Sequence, residues 1–374
     1  MSAPDSLYRE DVSKSIFITG LIDDALAREL TPKIIELRAA RKDPITVYIN
    51  SNGGSPVYGD SILSALKAPD ADGNVTNLIT VVTGYASSTA ADLLIYGDYA
   101  IAYPEAFVHC HGARYYTHEE ELTMERARTA GFSLWKLNEA IALHLYKHVI
   151  HRTIFIFLNL KPTFKAIRED PKHSAADDVE CFTRALFVTS QISPDALRLM
   201  FKTLDHYKKI QEVSDYVWKR VKLKETDHLF LIHAKLLRVI INFHLKGNRK
   251  SSAHLPIADI SEHLNLIKDY VAGEYTAFVN PLIERWGKFF LEGDEQSEYD
   301  KQTEDGKFAW LSHKTTRRIQ PLLYFAFSLC RLLQEEENRL TATDAYWLGI
   351  VDEVMGSDLP CLRSLAENPP PTEK

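Results

Sequence analysis

Two side chains in the stretch TGYASSTAADLLIYGDYAIAYPEAFVHCHG, residues 83 to 112, could do chemistry together: Ser88 and His111. A serine hydroxyl is a weak nucleophile until a base takes its proton. Histidine is the side chain best suited to do so near neutral pH. Ser88 stands between a β-rich run, NLITVVTG, and a helical one, SSTAADLLIYG. Its hydroxyl is therefore expected at a strand-to-helix turn, where helix N-terminal amides favour developing negative charge. An earlier turn, INSNGGS, brings glycines whose N–H groups can approach a substrate closely. The amides of Gly54 and Thr89 are the expected oxyanion donors. His109 rivals His111, because residues two apart on a strand share a face; Cys110 then points to the opposite face. A blander alternative is that small residues such as Ser88 simply pack where helix meets sheet.

These residues need a scaffold, and the flanking sequence supplies one. From residue 14 to about 112, strand signals (SIFITG, ITVYIN, NLITVVTG, YAIAYP, AFVHCHG) alternate with helical ones (DDALARELTPKIIELRAAR, GDSILSALKA, SSTAADLLIYG). That alternation predicts an α/β unit with a largely parallel sheet. Its ligand site should lie where strands end and helices begin. SPVYG, directly after Gly54, reads as an extended segment able to hold a peptide by strand addition. A long amphipathic helix is predicted from about Thr117 to His148, with Leu122, Leu134, Leu137, Ile141 and Leu145 on its apolar stripe.

Residues 150 to about 320 have a different character. Their periodicity is helical throughout, as in SPDALRLMFKTLDHYKKI, where Ser193 is the expected cap and Pro194 the first-turn residue. The acidic run EGDEQSEYDKQTEDGK, 292 to 307, reads as polar and mobile. RVIINFH, Arg238 to His244, has a spacing that resembles the Arg-His pattern of HEPN ribonucleases. The tail after Gly356 reads as loose. The expected organisation is an α/β core over 1–149, a helical insertion over 150–320 and a return to the core over 321–374.

Composition narrows the function classes. A chain of 374 residues with net charge −7 does not suit a nucleic-acid binder driven by bulk charge. Its longest apolar runs are too short to span a bilayer. Cys110, Cys181, Cys330 and Cys361 form no CxxC pair, and the first residues carry no apolar leader, so free thiols in a cytoplasmic protein are expected. The histidines have no metal-binding spacing, and neither a metal nor another cofactor is expected.

Four motifs, in order, resemble the Clp protease proteolytic subunit family: ITVYINSNGGSPVYGDSIL, GYASSTAADLL, YPEAFVHCHG and RLTATDAYWLGIVDEV. The resemblance covers roughly 14 to 148 and 325 to 356. It implies a ClpP/crotonase-like spiral of βαβ units and a serine peptidase activity. Ser88 falls at the family's nucleophile and His111, seven residues after Pro104, at its histidine. The third member is implied at Glu337, where the family has aspartate, with Glu335 and Glu336 adjacent in LLQEEENRL. A glutamate can orient a histidine as an aspartate does, while an acidic run at a helix end also reads as a solvated face. Asn52 stands where the family has proline, and Ser87 where it has alanine.

The resemblance implies a peptide or protein substrate and a homo-oligomer. The predicted long helix matches the family's handle helix, so an insertion after it should alter ring-to-ring contact, and the family's two-ring barrel is not expected. The insertion would then serve assembly, gating or the binding of a regulatory partner. Three alternatives stay open: a catalytically silent scaffold or sensor, a crotonase-type acyl-CoA-binding protein, and a phage-type maturation protease.

Overall fold

A computed structural model describes residues 11–40, 44–70, 72–114, 123–173, 178–190, 237, 240–241, 245–246, 275–335 and 338–359. The chain divides into two compact units: residues 1–149 with 330–367, and residues 150–329 with 368–374.

The first unit is built on a sheet of β1 (Ser15–Ile22), β2 (Ile45–Gly54), β3 (Leu78–Ser87), β4 (Tyr99–Ala102), β5 (Phe107–Cys110), β6 (Asn338–Thr341) and β7 (Glu353–Val354). The order β1-β2-β3-β4-β7 is parallel throughout. β5 leaves that path to pair with β3 in parallel and with β6 antiparallel. A parallel sheet covered on both faces needs apolar residues on both, not an alternation. β3 meets that need, with Leu78, Ile79, Val81 and Val82 all buried. Each such side chain contributes about 1.5–3 kcal/mol by leaving water.

Helices α1 (Asp24–Ala39), α2 (Pro56–Lys67) and α3 (Thr89–Ile95) follow the first three strands. α1 starts where the Asp23 carboxylate accepts from Leu26 N–H at 3.0 Å, and it buries Ala27, Leu30, Ile34 and Leu37. α3 is buried almost entirely, with Ala90, Ala91, Leu93, Leu94 and Ile95 enclosed. SPVYG is not extended: Ser55 alone has strand-like angles, and Pro56 opens α2. Proline's fixed φ and missing N–H suit the first helical position, and this outweighs the strand-addition expectation.

α4 runs Met124–Glu169, and its residues through Val149 belong to the first unit. The sequence pattern put its end near His148; the apolar run TIFIFLNL continues the helix instead, through Pro162. The return to the core comes through β6, a short helix at Ala342–Trp347 and β7.

The second unit contains the later part of α4, α5 (Asp178–Ser190), α6 (Tyr275–Trp286), α7 (Glu295–Asp300) and most of α8 (Glu304–Glu335). Phe157 stacks on Phe182 and meets Phe325 edge-on, each pair with centroids 5.7 Å apart. The Trp286 indole donates to His151 Nδ1 at 3.0 Å. The acidic stretch 292–307, expected to be mobile, is ordered. Arg318 donates to both carboxylate oxygens of Glu295, at 2.6 and 3.0 Å, and to Phe290 O. Tyr299 of α7 is buried. A composition rich in acids suggests disorder only while the acids lack partners, and Arg318 and Lys314 supply them. The Ser193 helix, and Arg238 and His244 of the RVIINFH motif, fall outside the described residues.

Among the described residues, no helix is long and apolar enough to cross a membrane, and no group of three or more His, Cys, Asp or Glu could hold a metal ion. Cys110, Cys181 and Cys330 are free and buried.

Candidate active site

Ser88 sits at the joint between β3 and α3, as the N-cap of α3. Its backbone has φ 57° and ψ −132°, the one non-glycine residue with positive φ among the described residues. Such a conformation costs about 1–3 kcal/mol and persists only where the surroundings enforce it. Two contacts do so here. Ser88 N–H donates to His109 O at 3.0 Å, and Ser88 O accepts from Asp92 N–H at 3.1 Å. A strained serine on a sharp strand-to-helix turn presents its hydroxyl outward, as in a nucleophile elbow.

β2 brings its glycines against this turn. Gly53 has φ 89°, and a Cβ there would lie 2.4 Å from Ser87 O and 2.7 Å from Ser88 Cβ. Only glycine lets the two strand ends meet so closely. Gly59 of α2 does the same for α3, since a Cβ on it would strike Thr89 Cγ2 at 2.2 Å. The Thr89 hydroxyl donates to Gly54 O at 3.0 Å and ties the two turns together. The Thr89 amide, first in its helix, has no acceptor within that helix.

His111 lies one residue beyond the end of β5, not within the strand. The segment is held by Gly112 N–H donating to Gln334 O at 2.6 Å and Ala113 N–H donating to Asn138 Oδ1 at 2.7 Å. His111 Nδ1 is 2.7 Å from Gly112 O. A carbonyl only accepts, so Nδ1 carries the proton and Nε2 keeps the lone pair a general base needs. No hydrogen bond joins Ser88 to His111. His109 is otherwise occupied: its Nδ1 pairs with the Ser87 hydroxyl at 3.0 Å, and its ring lies 5.4 Å from that of His111. Cys110 is buried, and burial, reinforced by Asp92, pushes its thiol up to about 12. It is not a nucleophile at neutral pH.

Ser88, His111, Gly54 and Thr89 all line one cavity of about 520 Å³. The proposed acid does not come into view: Glu336 and Glu337 lie outside the described residues, and nothing is described of the Glu335 side chain. The cavity holds two acids that sequence patterns did not single out, Asp60 of α2 and Asp92 of α3. Burial, then the charge of Asp60, raises Asp92 to about 7; burial also raises Asp60. The local sequence conceals both. An acid in a first turn, such as Asp92, reads as an ordinary complement to the helix dipole. Tyr96, also on the cavity wall, has the ring of His144 behind it at 3.7 Å; burial, with Lys147, His148 and Lys67, lowers that histidine to about 4.

Comparison with known proteins follows the same residues. The Clp protease family model matches residues 4–144. ATP-dependent Clp protease proteolytic subunit 3 of Rhodococcus jostii is 35% identical over 96 residues, which are 25% of this chain and 44% of that protein. Proteolytic subunit 2 of Gluconobacter oxydans is 29% identical over 28% of this chain and 44% of its own length. Proteolytic subunit 2 of Nocardia farcinica is 29% identical over 40% of this chain and 73% of its own. The chain thus spans less than half the length of the first two relatives. Among solved structures, a ClpP1 mutant from Listeria monocytogenes is 20% identical over 35% of this chain and 70% of its own, at a TM-score of 0.30.

Proposed function

The chain belongs to the Clp protease family through residues 4–144, and on that premise we propose that it is a serine peptidase acting through Ser88 and His111. The observation that carries this reading is the strained backbone of Ser88, at φ 57°, on the wall of the cavity that also receives His111. A structural serine would have no need of that strain.

In the proposed reaction, His111 Nε2 takes the proton of the Ser88 hydroxyl as its oxygen attacks a peptide carbonyl. The resulting oxyanion is stabilised by the N–H groups of Gly54 and Thr89. His111 then gives the proton to the leaving amine, and water, activated by the same histidine, releases the acyl group from Ser88. Glu337 is the proposed third member. The β5–β6 register supports it: Asn338, its neighbour in the chain, is paired with Cys110, the neighbour of His111. Self-association, a cytoplasmic location and a regulatory role for residues 150–320 belong to the same proposal.

The test is fluorophosphonate labelling of the purified full-length protein. Wild type should label, and Ser88→Ala and His111→Ala should not. Absence of label on wild type would instead favour the silent scaffold, and tight acyl-CoA binding would favour the crotonase-type alternative.

A further inference from the structure

The cavity next to Ser88 has a chemical character that the peptidase reading leaves unused. Its walls are apolar, formed by Leu63, Leu93, Tyr96, Leu137 and Ile141, while Asp60 and Asp92 supply carboxylates. Asp92 lies one helical turn after Ser88, with its N–H on Ser88 O at 3.1 Å. Both residues line the cavity. Asp60 is on α2, the helix that begins two residues after Gly54.

The Asp92 carboxylate makes no hydrogen bond or ion pair with a described residue. It is half-buried on the cavity wall, where a carboxylate without a protein partner is best met by a proton or a cation. The charge that acts on Asp92 is another carboxylate, Asp60, which disfavours its ionised form further. The other ionisable groups on the cavity wall are His111, at the reaction centre, Tyr96, and Arg114, which is exposed. The carboxyl's rise to about 7 is what such isolation produces.

We propose that this cavity is the pocket for the side chain of the residue preceding the cleaved bond, and that Asp92, assisted by Asp60, selects lysine or arginine there. The inference rests on the peptidase reading of Ser88. A lysine or arginine fits both parts of the pocket: its methylene stem packs along apolar walls while its head meets the carboxylates. The cation would hold Asp92 ionised and remove the isolation. A site built to pair with a charged group also rejects an isostere lacking it far more strongly than an apolar pocket rejects one missing methylene. Norleucine, with the lysine stem and no charge, is the discriminating comparison.

The experiment uses full-length protein and fluorogenic peptides that differ only in the residue before the cleaved bond: lysine, arginine, norleucine, leucine or glutamate. Lysine and arginine should exceed norleucine in kcat/KM by about tenfold or more. Asp92→Asn, which keeps size and shape, should cut the lysine-to-norleucine ratio by about tenfold, and Asp60→Asn by less. A wild type that cleaves norleucine or leucine as well as lysine would overturn the assignment, as would a ratio unmoved in both variants. A second arm does not depend on turnover. Ser88→Ala protein should bind a peptide ending in lysine more tightly than one ending in norleucine, and equal binding overturns the pocket. Fluorophosphonate labelling without this preference defeats the pocket alone. Preference without labelling defeats the serine mechanism alone.

Discussion

Two groups of carboxylates, one in each unit, show how surroundings decide what an acid does. Glu295, in the helical unit, is 18% exposed, yet Arg318 grips both its oxygens and Lys314 lies 3.8 Å away. Those hydrogen bonds hold its carboxyl below the usual range. Asp92, in the α/β unit, has no such partner, and burial with Asp60 lifts it to about 7. The first arrangement joins α7 to α8 and leaves nothing over for a ligand. The second leaves an unmet demand beside a strained serine. A carboxylate that is satisfied internally serves the fold, and one that is not points to a substrate.

The comparison can be broken most sharply at the turn that faces the cavity. Ser88→Ala should lower peptide hydrolysis by about a thousandfold or more while leaving the thermal midpoint near wild type or raising it, because the nucleophile is lost but the fold does not depend on its hydroxyl. Calorimetry run beside the activity assay checks both. A variant that unfolds would assign Ser88 to packing.

Gly53→Ala comes next. The added methyl would meet Ser87 O and Ser88 Cβ at a positive φ, so a loss of about 2–4 kcal/mol is expected, along with the fluorophosphonate label. Chemical denaturation measures it, and a stable, labelled variant would show that the two turns need not touch.

On the satisfied side, Arg318→Met should cost about 2 kcal/mol by leaving Glu295 without its guanidinium. The Glu295 pKa is lowered on folding, so its contribution is fully present above its unfolded value and disappears as pH falls through its folded one. The variant should therefore lose less stability than wild type on acidification, as pH-dependent melting would reveal. Parallel curves for the two proteins would contradict this.

Asp92 should show the opposite sign, with the smallest effect. Its folded pKa is raised, so the folded state takes up a proton more readily than the unfolded chain. Stability from this group is complete below about 4 and is lost as pH rises toward 7. Melting of Asp92→Asn should gain on wild type over that interval, and a constant difference would show that Asp92 has a partner in the folded protein.

How far the sequence could be read varies with the range of the interactions involved. Ser88, Gly54 and Thr89 stand out in the sequence because their turns have local requirements, glycine for close approach and serine at a strand-to-helix joint, and His111 by its spacing from Pro104; the structure lines one cavity with all four. The α/β alternation was legible because strand and helix periods differ. SPVYG was misread because Pro56 has two local meanings, and the close fit of Gly59 against Thr89 belongs to a helix. The stretch 292–307 was misread because its order depends on Arg318, 23 residues from Glu295. Asp60 and Asp92 were passed over because each is unremarkable within its own helix.

The sequence by itself determined the elements of the core, the order of its motifs and the chemistry available at each turn, since these follow from backbone preference and hydrophobic spacing over a few residues. Tertiary structure alone decided which of those turns share a cavity, which acids find a cation and which histidine is left with a lone pair. Hydrogen bonding and burial are pairwise, and their partners here come from different strands and helices: His109 O for the Ser88 amide, Gln334 O for the segment bearing His111, and Asp60 across from Asp92.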